Sequence, residues 1–389
     1  MKIPKQEYTA EFTGWKTRNR GKLISMLVKI SLAIKFLLAV QFIGRKSGQF
    51  KNIVIVNGAS AISVSKKLSN ESDDFGFFVP IKYIPRVLNA GLVERVIVAP
   101  SFAVYVRAVL FAIRDFGCKD FSSFLSFWGS KLVFSYIDKN KKNILNVIVY
   151  NEWLIIPSSA IAAAKKNKIR TCCIQHGAIV ENYFPVGVDV YFTWSDYYSG
   201  IINERSPDVL AINVGRLNYS APPPSIGNRS DIPLVALQPG DVSIPYETLL
   251  RNFVDIVEVC LDVFDGVVLR RHPKDNVSVA LLYFFNNDKR ISFDVDSLQD
   301  SLAKRKIVIS LYSTVLLEAV MSGCLAVQFV GAEWYKPIFR RSSIIFSEKN
   351  KLENYLKDKK NQSLVVDVDS VGMIVGQPNY ELFLNSLRN

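Results

Sequence analysis

Histidine is scarce in this chain. Its 389 residues hold two, His176 and His272. Five cysteines, two of them adjacent at Cys172 and Cys173, give neither a paired framework nor a metal-ligand spacing. A disulfide scaffold and a zinc centre therefore have no basis, and the thiols read as buried groups in a reducing compartment. The Gly-x-Ser-x-Gly of a hydrolase elbow is absent, as is the Gly-x-x-x-x-Gly-Lys-Ser/Thr loop of ATP-binding proteins. Asp294 and Asp296 spell Asp-x-Asp without the neighbouring cluster that a metal site needs, so no metal is expected. No repeat of fixed period or low-complexity tract occurs. Uninterrupted apolar runs of membrane-spanning length are also missing. The strongly apolar stretch 23–43 is broken by Lys29 and Lys35 and has no obvious small-residue cleavage site, which argues against a clean span and against a secretory signal.

What is present is a globular composition, 49% hydrophobic and 21% charged, with enough length for two domains of ordinary size. The formal net charge is +13, and its excess sits at the front. Ten Lys or Arg fall in the first 50 residues against Glu7 and Glu11. Such a front suits nucleic acid or an anionic membrane surface. Nothing resembling a nucleic-acid-reading module follows, so a nucleic-acid partner is not expected and the inner-membrane surface is. Residues 23–43 then either lie in the membrane interface or form a helix packed on the body.

Short apolar runs bounded by turn residues read as strands at 52–60, 75–79, 93–99, 146–150, 170–174, 188–193 and 211–215. Helical stretches fall between them, for instance within 102–134 and over 158–168. Alternation of this kind predicts an α/β chain with a mainly parallel sheet and ligands gathering at the carboxyl ends of strands. Five residues of 219–233 are Pro or Gly, namely Pro222, Pro223, Pro224, Gly227 and Pro233, the composition of a linker. Beyond it the pattern restarts, with a strand at 234–237, a helix over 246–263, strands at 267–270, 306–310 and 325–330, then a strand at 343–346 and a helix over 351–357. The expected organisation is a basic segment 1–48, a Rossmann-like half 49–218, a linker 219–233 and a second Rossmann-like half 234–389.

Chemistry-bearing residues gather at strand ends. His272 follows a strand beside Arg270, Arg271 and Lys274, a group suited to neutralising phosphate. Ser313 and Thr314 lie between a strand and the helix that starts at Val315, where hydroxyls and backbone N–H groups can hold an anion. Glu318, four residues after Thr314, shares its helix face and can accept hydrogen bonds from ribose hydroxyls. In the first half, Gly58 and Ser60 follow a strand in a turn that lets backbone approach a ligand. His176, in Gln175-His176-Gly177, has the ionisation range of a general base at neutral pH.

With these residues in view, the chain resembles bacterial surface-polysaccharide glycosyltransferases of the two-Rossmann GT-B type, above all the sialyltransferase and polysialyltransferase-like group. His272-Pro273 matches that group's His-Pro motif, and Ser313-Thr314 its Ser-Ser/Thr motif; both contact the nucleotide phosphate there. The group's acidic motif before glycine, which supplies the base, has no clear match. Gln175-His176-Gly177 stands in its place and is similar to the His-Gly of CDP-glycerol glycerophosphotransferases. Asn57-Gly58-Ala59-Ser60 is similar to an Asn-Gly-Pro-Ser loop near CMP in another sialyltransferase family, without its proline. The resemblance implies an inverting, metal-independent transfer with no cofactor. Sialic acid would move from a CMP-linked donor to a lipopolysaccharide, O-antigen or capsule acceptor in a cleft between the halves, with His176 and His272 as catalytic residues. It also implies a cytoplasmic protein peripheral to the inner membrane. Transfer of a polyol phosphate, or of a sugar from UDP or GDP, is the alternative within this architecture. A non-catalytic binding protein of polysaccharide assembly is the alternative outside it.

Overall fold

The computed structural model describes residues 50–79, 96–97, 121–152, 154–177, 179, 184–218, 229–238, 245–272, 276–331, 344–360 and 378–388. The basic segment 1–48, its apolar stretch 23–43, residues 219–228 of the linker, Pro273 and Lys274 lie outside the described residues. Among the described residues no helix is long and apolar enough to cross a membrane.

Two sheets organise the chain. The first has seven strands: β1 (Asn52–Ile55), β2 (Phe75–Phe78), β3 (Val96–Ile97), β4 (Asn146–Val149), β5 (Arg170–Ile174), β6 (Val190–Thr193) and β7 (Leu210–Asn213). Their order is β3-β2-β1-β4-β5-β6-β7. The second has six: β8 (Leu234–Ala236), β9 (Val267–Arg270), β10 (Ile291–Phe293), β11 (Ile307–Ser310), β12 (Leu325–Phe329) and β13 (Ile345–Phe346), in the order β10-β9-β8-β11-β12-β13. The registers of β1 with β2 and β4, of β4 with β5, and throughout the second sheet are parallel. Both orders reverse direction beside the first strand of their sheet, between β1 and β4 and between β8 and β11. Such a reversal opens a crevice at the carboxyl ends of the two strands. The α/β class with two Rossmann-like sheets is thus the architecture found.

The strands are continuous apolar runs because both faces are covered by helices. Ile53, Val54 and Ile55 of β1 are fully buried, as are Val147, Ile148 and Val149 of β4. In the second sheet one face carries α5 (Tyr246–Val263) and α9 (Lys349–Lys360). There Leu249, Phe253, Ile256, Val257 and Cys260 pack with Leu352 and Leu356 against Val267, Leu269, Ile307 and Ile309. The opposite face carries α7 (Leu298–Lys304) and α8 (Val315–Met321), with Leu302, Leu316, Leu317 and Val320 against Val268, Val308 and Ala326. Burial of each such side chain contributes about 1.5–3 kcal/mol. Cys172, Cys173, Cys260 and Cys324 are buried free thiols.

By compactness the chain forms two units. One runs to His176 and takes in Gly187–Val190; the other comprises Gly177–Val186 and the residues from Tyr191 onward. In the first unit α1 (Ala59–Glu71), α2 (Phe121–Asn140) and α3 (Ile155–Lys166) accompany β1 to β5. α1 starts directly after Gly58. The second unit adds α4 (Asp196–Arg205), α6 (Ser278–Phe284) and α10 (Tyr380–Arg388). α10 docks on the strands that open this unit. Phe383 is fully buried edge-on to Phe192, their rings 4.6 Å apart. The Asn379 N–H donates to the Val214 carbonyl at 2.8 Å, and the Tyr380 hydroxyl donates to the Leu217 carbonyl. Phe383→Ala should destabilise the protein by about 3–5 kcal/mol, the usual cost of emptying a buried phenylalanine site. Urea unfolding followed by tryptophan fluorescence checks this, since Trp194 lies in the same unit; an unchanged midpoint would sink the assignment of α10 to the core.

Candidate functional site

In the second unit the candidate residues cluster around the reversal between β8 and β11. Ser313 and Thr314 link β11 to α8. The Ser313 Oγ accepts from the Val315 N–H at 3.3 Å, whereas the Thr314 side chain makes no capping bond. Hydroxyl capping is therefore done by Ser313. The loop is fixed from β8 as well, since the Tyr312 N–H donates to the Gln238 Oε1 at 3.0 Å and the Ser310 hydroxyl to the Ala236 carbonyl at 2.6 Å. α8 stops where Gly323 takes a left-handed φ of 73°. There the Gly323 N–H donates to the Val320 carbonyl and the Cys324 N–H to the Ala319 carbonyl, a Schellman closure that explains the glycine. Within the second unit, a Cβ on Gly177 would lie 3.6 Å from the Thr314 Cγ2, an ordinary contact.

The cations at the end of β9 divide into two kinds. Arg270 is committed internally: its Nη1 donates to the Asp294 carboxylate, to the Asp296 carbonyl at 3.1 Å and to the Ser301 Oγ at 3.1 Å. Asp294 is further held by the Ser301 hydroxyl, and Asp296 by Lys304 at 2.6 Å. The phosphate role suggested for Arg270 gives way to this buried pairing, because its partner carboxylate is 4% exposed and would be left uncompensated. Arg271 and His272 are exposed, with the Arg271 guanidinium 3.8 Å from the centre of the Phe293 ring. These two side chains keep a face toward solvent where a phosphate can reach.

Glu318 sits one turn into α8, its Oε1 accepting from the Arg216 Nη2 at 2.7 Å. Both side chains are largely buried, at 13% and 9% exposure. The Arg216 Nε donates to the Asn218 Oδ1 at 3.1 Å, and its guanidinium lies 4.8 Å from the Trp194 ring centre. Sequence reasoning missed Arg216. The signal was faint: a lone arginine after Gly215, where an apolar strand has just ended.

In the first unit Gly58 caps α1 with an extended backbone, φ −171°, and nothing lies within 4 Å of where a Cβ would be. The turn is open rather than strained, so a ligand and not the fold would require glycine here. Ser60 lies in the first turn of α1. His176 follows β5, and Asn151 follows the neighbouring β4. Their Nδ2 and Nε2 are 3.4 Å apart, an arrangement in which the amide donates to an unprotonated Nε2. Burial holds the His176 imidazole below its ordinary 6.5, so it is neutral at pH 7. Glu152, also beyond β4, was not singled out as a site residue. It is 9% exposed, its Oε2 accepts from the Gly187 N–H at 2.6 Å, and its Oε1 is buried with no partner among the described residues. Burial is the main effect on its carboxyl and raises the pKa above the ordinary 4.5.

The comparisons with known proteins bear on the architecture. No protein-family model matches the chain, and no curated protein does. Solved structures do match. MnaA of S. aureus with UDP has a TM-score of 0.57 at 13% identity, covering 87% of this chain and 96% of that one. The UDP-GlcNAc 2-epimerase of Methanocaldococcus jannaschii, in complex with UDP-GlcNAc and UDP, has a TM-score of 0.55 at 11% identity, covering 87% and 99%. This chain has the GT-B fold. The UDP-GlcNAc 2-epimerase of Rickettsia bellii aligns with the same 87% of this GT-B chain and 96% of its own, at 13% identity and a TM-score of 0.52. In this GT-B chain, strand order and crossovers place Ser313, Thr314 and Gln238 at one reversal and Gly58, Asn151 and Glu152 at the other.

Two expectations follow. Gly58→Ala should leave stability within about 1 kcal/mol, the scale of a helix-cap change. Lost nucleotide binding in the folded variant would mark a ligand at this turn, and unchanged binding would remove Gly58 from the site. Glu152 holds its proton to higher pH in the fold than in the unfolded chain. Its contribution is thus present below pH 4.5 and fades as pH rises through the raised folded value. Glu152→Gln keeps an acceptor for Gly187 without the ionisation, so its melting temperature relative to wild type should climb between pH 4 and pH 8. A pH-independent difference would contradict this account.

Proposed function

We propose that this chain is a nucleotide-sugar-dependent glycosyltransferase, moving a sugar to a glycan or glycolipid acceptor by an inverting, metal-independent route. The observation that carries the reading is the β8/β11 reversal of a GT-B fold, with Ser313 and Thr314 following β11 and exposed Arg271 and His272 following the adjoining β9. In this reading the Ser313-Thr314 loop and His272, with Arg271 and Lys274, hold the phosphate that departs with the nucleotide. Charge builds on that phosphate as the glycosidic bond breaks, so donors aimed at it act most strongly in the transition state. Glu318 accepts from the ribose hydroxyls. His176, neutral at pH 7, takes the proton of the acceptor hydroxyl as its oxygen attacks the sugar carbon. Gly58 and Ser60 are the donor-binding residues of the first half in this reading. A CMP-linked sialic acid is the favoured donor on the His272-Pro273 and Ser313-Thr314 motifs, and a lipopolysaccharide, O-antigen or capsule chain is the favoured acceptor. The net charge of +13 supports work at the anionic inner face of the plasma membrane, where it attracts both surface and donor.

A UDP-linked donor is the second reading, favoured by the UDP and UDP-GlcNAc present in structures of the same fold. Incubation of the purified chain with CMP-sialic acid, UDP-GlcNAc and CDP-glycerol, each with a polysaccharide acceptor, separates these by which nucleotide is released. Epimerisation of the donor without net release would instead place the chain with the named epimerases.

His272→Ala and His176→Ala should each lower turnover of the accepted donor about 10²-fold or more. In the wild type, activity should persist below pH 6.5 before declining, because burial depresses the His176 pKa and acid must reach that lower value to protonate the base. Wild-type rates in both variants would refute the mechanism.

A further inference from the structure

The Arg216 guanidinium is a buried cation with a donor left over. The residue is 7% exposed; Nη2 serves Glu318, Nε serves Asn218, and Nη1 is buried with no hydrogen-bond partner among the described residues. A buried N–H with nothing to bond is costly and uncommon in a folded protein, and a bound molecule is one way to satisfy it. Its surroundings say what kind of molecule. The two Nη nitrogens belong to one rigid planar fork, so an atom accepting from Nη1 lies beside the carboxylate that Nη2 already holds. Arg216 engages only the Oε1 of Glu318, leaving Oε2 without a hydrogen bond among the described residues. The pair carries no net charge, which disfavours a free phosphate as the occupant. What it offers is a donor next to an acceptor, and a sugar hydroxyl matches both, accepting through oxygen and donating through hydrogen. The Trp194 ring, 4.8 Å from the guanidinium, restricts the rotation of the fork and keeps this edge fixed.

We propose that Arg216 is a specificity-determining residue that binds ribose hydroxyls of the nucleotide directly through Nη1, while holding Glu318 so that its Oε2 accepts from the same diol. This rests on the nucleotide-sugar reading above. It adds a residue from the end of β7 to a site otherwise built from the second sheet.

The test compares CMP and UDP with their 2′,3′-dideoxy counterparts by isothermal titration on the full chain. No residue need be changed, so folding cannot confuse the result. The wild type should bind whichever ribonucleotide it accepts at least about tenfold tighter than the dideoxy form, since loss of the hydroxyls strands both the donor and the carboxylate. Arg216→Lys, which keeps the charge for Glu318 but loses the planar fork, should shrink that preference to less than about threefold. If that variant does not fold, the paired change Arg216→Met with Glu318→Met removes both charges together and should abolish the preference. Equal binding of ribo and dideoxy forms by the wild type overturns the proposal and leaves the nucleotide reading intact. A preference retained undiminished in the folded variant overturns the role of Arg216 alone. Failure of the wild type to bind either nucleotide overturns the functional reading on which the proposal stands.

Discussion

Parallel pairing is the constraint from which the rest of this molecule follows. A parallel strand cannot return through a tight turn, so each is followed by a crossover, and every carboxyl end in a sheet emerges at the same edge. That one geometric fact gathers residues far apart in sequence, such as Gln238, His272 and Ser313, along one rim of the second sheet. It also demands helices on both faces, which is why the central strands are apolar without alternation and why α5, α7, α8 and α9 are needed. The reversal of strand order then opens the rim at one point, and the polar residues stand there.

Much of this was readable from residue order. Unalternated runs such as 146–149 and 267–270 specify buried strands, and α5 occupies the stretch 246–263 that its apolar period indicates. Less visible were the short or polar helices. α4 carries Gly200 in its middle and mostly polar side chains, and α7 and α10 are held by tertiary contacts more than by propensity. Their helicity depends on neighbours that no local window contains. The same reason hid part of the site. His176, His272 and Ser313 announce themselves as polar residues at strand ends. Arg216 gains meaning only from Glu318, 102 residues later, and Arg270 loses its apparent availability only because Asp294 folds back onto it.

Charge in this protein therefore has two uses that composition cannot separate. Arg216, Arg229 and Arg270 are drawn inward and tied to particular acceptors; Arg229 donates to the Ser322 carbonyl at the end of α8, where a cation also favours the helix dipole. Such groups are expensive to desolvate and justify themselves by fixing geometry. Exposed cations such as Arg271 remain hydrated, cost little and respond to salt. Net charge describes the second population, whereas the shape of the candidate site depends on the first.

The docking of α10 has a consequence for the order of assembly. Phe192 and Val214 meet partners from residues 379–388 that are synthesised well over a hundred positions later. Closing so large a loop is entropically slow, although each further doubling of its length adds only about 0.6 kcal/mol. The first unit, whose strands β1 to β5 are complete by residue 174, can gather its core while the chain is still growing. The second cannot, because one of its earliest strands must wait for its last helix. The interval leaves the Phe192 face without its α10 partner until residues 379–388 have been made.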